Sequence, residues 1–473
     1  MTATAGATAG ARAAASASVS ARELAAATPA DRDRYVDLLR VASLGTVVLG
    51  HWLMAAVTTG ADGQVEVGNL LAVEPKLQVL TWALQIMPVF FFVGGFSHAL
   101  SYRSLSRRFP DGGSVYPAFL RARLQRLLRP TMVFIGVWGA AAVLLHLAGV
   151  GGGLLDVALR LVTQPLWFIG IYLAMVTFTP PLLKLHERFG WGAFGALVAA
   201  AAVVDVLRFV LDVPFVEFLN FAFVWLAIHQ LGFLRADGRL TRPYLLAGAG
   251  LAGAALLVAY GPYPLSMVGM PGEKVSNMAP PTFALLCHGL WLVGAVEWVR
   301  RPVARWLERP KVWRTVVAAN GISMTAFLWH LSAMLGVYGV LLALDVDLPT
   351  PATGAWWAQL PLRIGAAAVL TAVLVAAFRR FERPAARPSE PSRPSGLSSF
   401  RRSEAYSGPA AALGATLCLF GVLGLSMVGF GGLFEGRTAL LIAVQVSAPV
   451  AVAMTLAGWA LVELIGRGAR SSA

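Results

Sequence analysis

The chain has 473 residues, of which 57% are hydrophobic and 13% charged, with a formal net charge of +14. That composition excludes an ordinary soluble domain and points to a membrane protein. The basic residues lie between apolar blocks, so the excess charge reads as membrane orientation and not as a nucleic-acid surface. Cys287 and Cys418 lie far apart in apolar runs, which argues against a disulfide framework or a thiolate metal site.

Residues 1–30 are rich in Ala, Ser and Thr and contain no compact apolar core with a cleavage signal. They read as a disordered cytoplasmic arm. A spanning helix needs roughly 20 mostly apolar residues. Twelve segments meet this need: 36–57, 77–100, 130–149, 166–183, 191–211, 215–234, 244–260, 280–299, 315–342, 357–378, 409–430 and 438–465. No fixed-period repeat is visible. The expected fold is an all-α polytopic bundle. Residues 31–382 form a ten-helix body, 383–408 a Pro/Ser/Arg-rich cytoplasmic linker, and 409–473 a two-helix appendix.

With the N-terminus placed in the cytoplasm, the inward segments hold 31 Lys and Arg and the outward ones only four, Lys76, Arg160, Lys274 and Arg437. This asymmetry supports twelve spans, both termini in the cytoplasm, and a plasma-membrane protein.

The first span, "RYVDLLRVASLGTVVLGHW" (34–52), carries Asp37, Arg40 and His51. Arg40 and His51 are eleven residues apart, which places them on one helix face about 16 Å apart along the axis. Asp37 lies three residues before Arg40 and can pair with it. Ionisable groups inside a span face the bundle interior and mark function, although Arg40 alone can also be read as an interface residue. The ninth span, "NGISMTAFLWHLSAML" (320–335), carries Asn320, Ser323, Phe327 and His330 at helical spacing. His51 and His330 both fall just past the middle of outward-running helices. Two histidines at one depth on two polar stripes read as a site.

In the second span, "PVFFFVGGFSHAL" (88–100) is rich in aromatics and ends with His98 near Arg103. "LRARLQRLLRP" (120–130) is a basic stretch before the third, and "PLWFIGIYLAMVTFTPPL" (165–182) fills the fourth. These motifs, the Arg40–His51 spacing and "FLWHL" in the ninth span together resemble the membrane-bound acyltransferase family 3, which includes polysaccharide O-acetyltransferases. The resemblance covers roughly residues 31–382. Gly94-Gly95 stands where many members have Ser-Gly, and Arg123, Arg126 and Arg129 are spaced by three where four is common.

The resemblance implies an acyl-CoA co-substrate, no bound cofactor, and transfer of an acyl group, acetyl above all, to a hydroxyl. The acceptor class stays open among glycans, lipid-linked molecules and small molecules. Basic residues at the cytoplasmic mouth suit the donor's phosphates; the candidates are Arg103, Arg107, Arg108, Arg121, Arg123, Arg126 and Arg129, with Arg126 and Arg129 nearest the third span, and His98 beside them. His51 is the expected general base, Arg40 a donor-positioning group, and His330 an acceptor-orienting or oxyanion group. Asp37, Ser323, Asn320 and Trp167 are expected to support them. A covalent acyl-histidine is left open. No metal-ligand set and no nucleotide loop is present. His229 is a weaker candidate for the cavity wall, while His146, His186 and His288 read as structural or exposed. The alternative class is a transporter using Asp205, Arg208 and Arg363, with the first two expected to pair. The partners expected are the donor, the acceptor and membrane lipid, without nucleic acid; the oligomeric state is not fixed.

Overall fold

A computed structural model describes residues 21–29, 32–59, 65–108, 115–270, 272–382, 400–441 and 444–471. The chain is a polytopic bundle of α-helices. Its main helices are α1 (Arg34–Met54), α2 (Met87–Arg108), α3 (Val115–Leu147), α4 (Gln164–Phe189), α5 (Trp191–Phe209), α6 (Asn220–Ala236), α7 (Pro243–Tyr260), α8 (Phe283–Trp298), α9 (Arg300–Leu307), α10 (Pro310–Asn320), α11 (Ser323–Ala343), α12 (Gly354–Phe378), α13 (Phe400–Val428) and α14 (Ala448–Ser471). Two short antiparallel hairpins, Ala55–Thr59 with Val65–Asn69 and Thr438–Leu441 with Val444–Ser447, join helices.

Among the described residues ten helical segments are long and apolar enough to cross a membrane. The expected eighth span is α8 and α9, bent by 53° between them, and the twelfth contributes a shorter apolar stretch, Ala448–Leu464. Its first residues form the paired strands Thr438–Leu441 and Val444–Ser447 instead of helix.

Several boundaries differ from expectation for physical reasons. The third helix starts fifteen residues early, at Val115, and runs through Pro130. Leu120, Leu124, Leu127 and Leu128 are buried and recur every three or four residues, so the "basic stretch" is itself an amphipathic helix. The ninth span is broken at Gly321-Ile322 into α10 and α11, so Asn320 and His330 share no continuous helical stripe. The end of the N-terminal arm is helical at Ala21–Ala26, and Trp313 Nε1 donates to Thr28 Oγ1 at 2.9 Å. Residues 1–20 lie outside the described residues, as does 383–399 of the linker; its remainder, 400–408, begins α13.

Two glycines set the closest crossing in the body. A Cβ on Gly95 of α2 would collide with the His229 carbonyl of α6, and one on Gly232 with the Phe92 carbonyl and Phe96 nitrogen. Without Cβ atoms the two backbones touch, the small-residue packing that brings membrane helices together. His98 and His229, each three residues from its own glycine, thereby meet in the core.

The appendix docks tightly on the body. Leu423 of α13 fills the notch left by Gly170 of α4. Phe430 is fully buried, its N–H bonds to the Leu159 carbonyl at 3.2 Å, and Glu463 accepts from Gln125 at 2.7 Å and pairs with Arg121.

Candidate active site

Helix α1 begins at Asp33, whose side chain accepts the Tyr35 and Val36 N–H groups, as an N-cap does. Burial alone would raise the Asp33 carboxyl, but Arg235 at 2.7 Å and Arg300 at 3.2 Å hold it below the ordinary aspartate range. One turn on, Asp37 is buried and gathers the entrance charges. Arg32 binds it through Nε at 2.6 Å and Nη2 at 3.1 Å, Arg40 reaches it at 3.5 Å, and Asn320 Nδ2 donates at 3.3 Å. The expected Asp37–Arg40 pair is therefore one edge of a larger network.

Arg40 also donates to Ser97 Oγ at 3.1 Å, and Arg123 Nη2 donates to the Ser97 carbonyl at 3.0 Å. Arg40 and Arg123 line a cavity of about 410 Å³ together with Arg32, Arg126, Tyr172, Asn320, Ser323 and Glu382, with Phe90 and Phe168 in its wall. Helices α1, α3 and α11 all border it. Arg129 and Trp167 do not line it; Trp167 packs edge-on to Trp225. Arg103 is turned away to Asp237 at 2.6 Å, and Arg121 to Glu463.

Phe168 of the cavity wall packs on Phe327, and Phe327 on His330 of the histidine pair. His51 Nδ1 is 2.7 Å from His330 Nε2, and the rings are stacked at 5.0 Å. A nitrogen-to-nitrogen contact this short needs a proton on one side and a lone pair on the other. The second nitrogen decides which: His330 Nδ1 donates to the Phe327 carbonyl, one turn back in α11. His330 Nε2 is then the acceptor, His51 Nδ1–H the donor, and His51 Nε2 is left with a free lone pair. Trp52 Nε1 donates to the His330 carbonyl at 3.1 Å and locks α1 to α11 at this level. His330 is fully buried, whereas His51 is partly accessible. Of the pair, only His51 is open to an approaching molecule, and His330 contacts it from the buried side.

A family model for an acyltransferase domain matches residues 33–380. The chain belongs to the acyltransferase 3 family. Neither a curated protein nor a solved structure matches the chain. The match spans α1 to α12, so this membrane acyltransferase carries both histidines and the cavity residues other than Arg32 and Glu382 within the family's domain, and α13 and α14 outside it.

The arginine cavity adjoins an apolar groove of about 490 Å³ between α1, α10, α11 and α12. The two share Leu44 and Ser323. The groove follows Val41, Gly45 and Val48 to Trp52, the neighbour of His51. Neither histidine lines the groove or the cavity; Trp52, at the end of the groove, is tied to the pair by its bond to the His330 carbonyl.

Other expected residues sit elsewhere. His98 is fully buried, with Nδ1 facing His229 Nε2 at 3.0 Å and Nε2 facing the Tyr172 hydroxyl at 2.9 Å. It has no free nitrogen for a donor phosphate. Asp205 does not pair within 4 Å of Arg208; it accepts from Asn220 at 2.8 Å, Tyr263 at 3.0 Å and the Phe283 N–H at 2.7 Å. Arg363 donates to Tyr338 and to the Trp356 carbonyl. Both tie neighbouring segments of the bundle together. His186 bonds Asp237 at 2.8 Å, His288 faces the Trp82 carbonyl, and His146 stacks on Phe434. Tyr172 and Glu382 were not singled out in the sequence, since neither lies in a polar stripe on its own helix.

Proposed function

We propose that this membrane acyltransferase moves an acyl group from acyl-CoA to a hydroxyl of a glycan, lipid-linked or small-molecule acceptor, with His51 Nε2 as general base. The observation that carries this is the ordered chain Phe327 carbonyl, His330, His51, which leaves one lone pair on the accessible nitrogen. The acceptor oxygen attacks the thioester carbonyl carbon as its proton passes to His51 Nε2. The carbon–sulfur bond then breaks, and the thiolate leaves, taking up that proton. The imidazolium formed on His51 keeps its Nδ1–H bond to His330, so the ring does not rotate as its charge changes.

Arg40, Arg123 and Arg126 suit the donor's phosphates, because guanidinium groups bind phosphate in a fixed fork. The apolar groove suits the acyl chain, acetyl being the smallest. The positive-inside asymmetry supports placing the arginine cavity and both termini in the cytoplasm, and the plasma membrane is the expected location.

The test is acyl-CoA consumption by purified protein in detergent, with candidate hydroxyl acceptors. His51→Ala should insert and fold but lose activity by about 10²–10⁴-fold. Near-wild-type turnover in that variant would defeat the assignment.

A further inference from the structure

Tyr172 stands where two polar systems meet. Its ring lines the arginine cavity, and its hydroxyl lies 2.9 Å from His98 Nε2. Behind it His98 Nδ1 faces His229 Nε2 at 3.0 Å, and His229 Nδ1 is buried with no hydrogen-bond partner. Thr179 Oγ1 lies 3.4 Å from His98 Nδ1, but its proton goes to the Met175 carbonyl at 2.7 Å.

The protons in this chain have two arrangements. If Tyr172 donated to His98, then His98 Nδ1–H would donate to His229 Nε2. The His229 proton would then sit on Nδ1, as a buried N–H without an acceptor. In the reverse order His229 Nε2–H donates to His98 Nδ1, and His98 Nε2–H donates to the Tyr172 oxygen. Only a bare lone pair is then left at His229 Nδ1. Orphaned buried N–H groups are the rarer and costlier defect, so the reverse order holds. The Tyr172 oxygen is thus occupied as an acceptor, and its own O–H is free to point into the cavity.

We infer that the Tyr172 hydroxyl is a pre-aimed hydrogen-bond donor to a phosphate oxygen of the acyl donor, fixed in that role by the His229–His98 chain. This rests on the acyl-CoA reading above. The phosphate class follows from the surroundings: Arg40, Arg123 and Arg126 face the same space. Arg126 has no ion pair within 4 Å among the described residues, unlike Arg40, Arg103 and Arg121. His98 and His229 never touch the ligand; they are positioning residues, held together by the Gly95–Gly232 crossing.

The experiment is equilibrium binding of coenzyme A to the full-length protein in detergent, with pantetheine as a phosphate-free competitor. Tyr172→Phe should weaken coenzyme A about ten- to a hundredfold, the range for a hydrogen bond to a charged group, and leave pantetheine unchanged. His229→Leu should reproduce that loss, and His229→Gln should retain affinity because its amide N–H replaces the donor. Tyr172→Phe combined with His229→Leu should bind no more weakly than Tyr172→Phe alone, since both remove one interaction. Wild-type affinity in Tyr172→Phe, equal losses in His229→Gln and His229→Leu, or an equal loss for pantetheine would each overturn the assignment. Wild-type protein that binds no coenzyme A would overturn the acyl-CoA reading itself, and this inference with it.

Discussion

Glu382 closes the helix that carries His330. Its Oε2 accepts the Thr325 N–H at 3.0 Å and the Thr325 hydroxyl at 2.6 Å, and its Oε1 accepts the Met324 N–H at 3.1 Å. Helix α11 has no side-chain cap of its own at Ile322, so a carboxylate from just past α12 satisfies the free N–H groups of the first turn. Burial raises the Glu382 carboxyl, and the bonds from Thr325 and Met324 oppose that rise. Glu382→Ala should destabilise the protein by ~1 kcal/mol, as loss of a cap does, and lower turnover through misplacement of His330. Thermal unfolding in detergent together with acyl transfer checks this; an unchanged melting temperature would show that the cap is idle.

The role of His330 separates by substitution. His330→Gln keeps an oxygen able to accept from His51 Nδ1–H and should retain activity within about tenfold. His330→Leu removes the acceptor and should fall about 10²-fold or more, toward the loss of a positioned base. Steady-state rates at saturating donor decide this. Equal activity in the two variants would remove His330 from the proton path.

Glycine positions give a contrast in packing. Gly95→Ala drives a methyl group into the backbone of α6 and should cost ~3 kcal/mol or more, at the upper end for overpacking, because no flexible side chain can yield. Gly45→Ala meets nothing within 4 Å and should be neutral or mildly stabilising. Melting temperatures of the two proteins, purified alike, are the measurement. Similar values would mean that α2 and α6 are not as close as described.

Acid sensitivity should concentrate where α1 begins. The folded value of Asp33 lies below its ordinary 3.8. Its ion pairs with Arg235 and Arg300 therefore contribute fully above pH 3.8 and are lost as the pH falls through the lower folded value. Asp33→Asn keeps the cap but not the charge. It should lower stability at neutral pH and flatten the drop in stability below about pH 4. A melting curve against pH with the same acid limb as wild type would contradict this.

Truncation after Pro384 removes α13 and α14, and with them the partners of Gly170, Arg121 and Gln125. No described residue of either helix lines the arginine cavity or the apolar groove. The shortened protein should melt earlier and still consume acyl donor. A folded truncation without turnover would place the appendix in the site.

Much of this was legible in the sequence. The apolar runs laid out the helices, and the eleven-residue interval in α1 put Arg40 and His51 on one face. Equal depth brought His51 to His330. What local pattern could not carry is long-range. The His98–His229 contact depends on two glycines 137 positions apart in the chain, whose crossing leaves no periodic mark. Glu382 reaches Thr325 across 57 residues. The break at Gly321-Ile322 interrupts an apolar run that reads as one helix. The early start of α3 was hidden because its arginines interrupt the apolar stretch while its leucines keep helical spacing.

The contact between His51 and His330 also sets a stoichiometry. It exists only while one of the two facing nitrogens is unprotonated, and the Phe327 carbonyl already fixes the far end of the chain. The pair can therefore hold one proton above its resting number and no second. With His51 as the proposed base, a proton taken from one acceptor molecule would have to depart with the leaving group before another acceptor could be deprotonated, so each cycle would hand on a single proton and reset the pair.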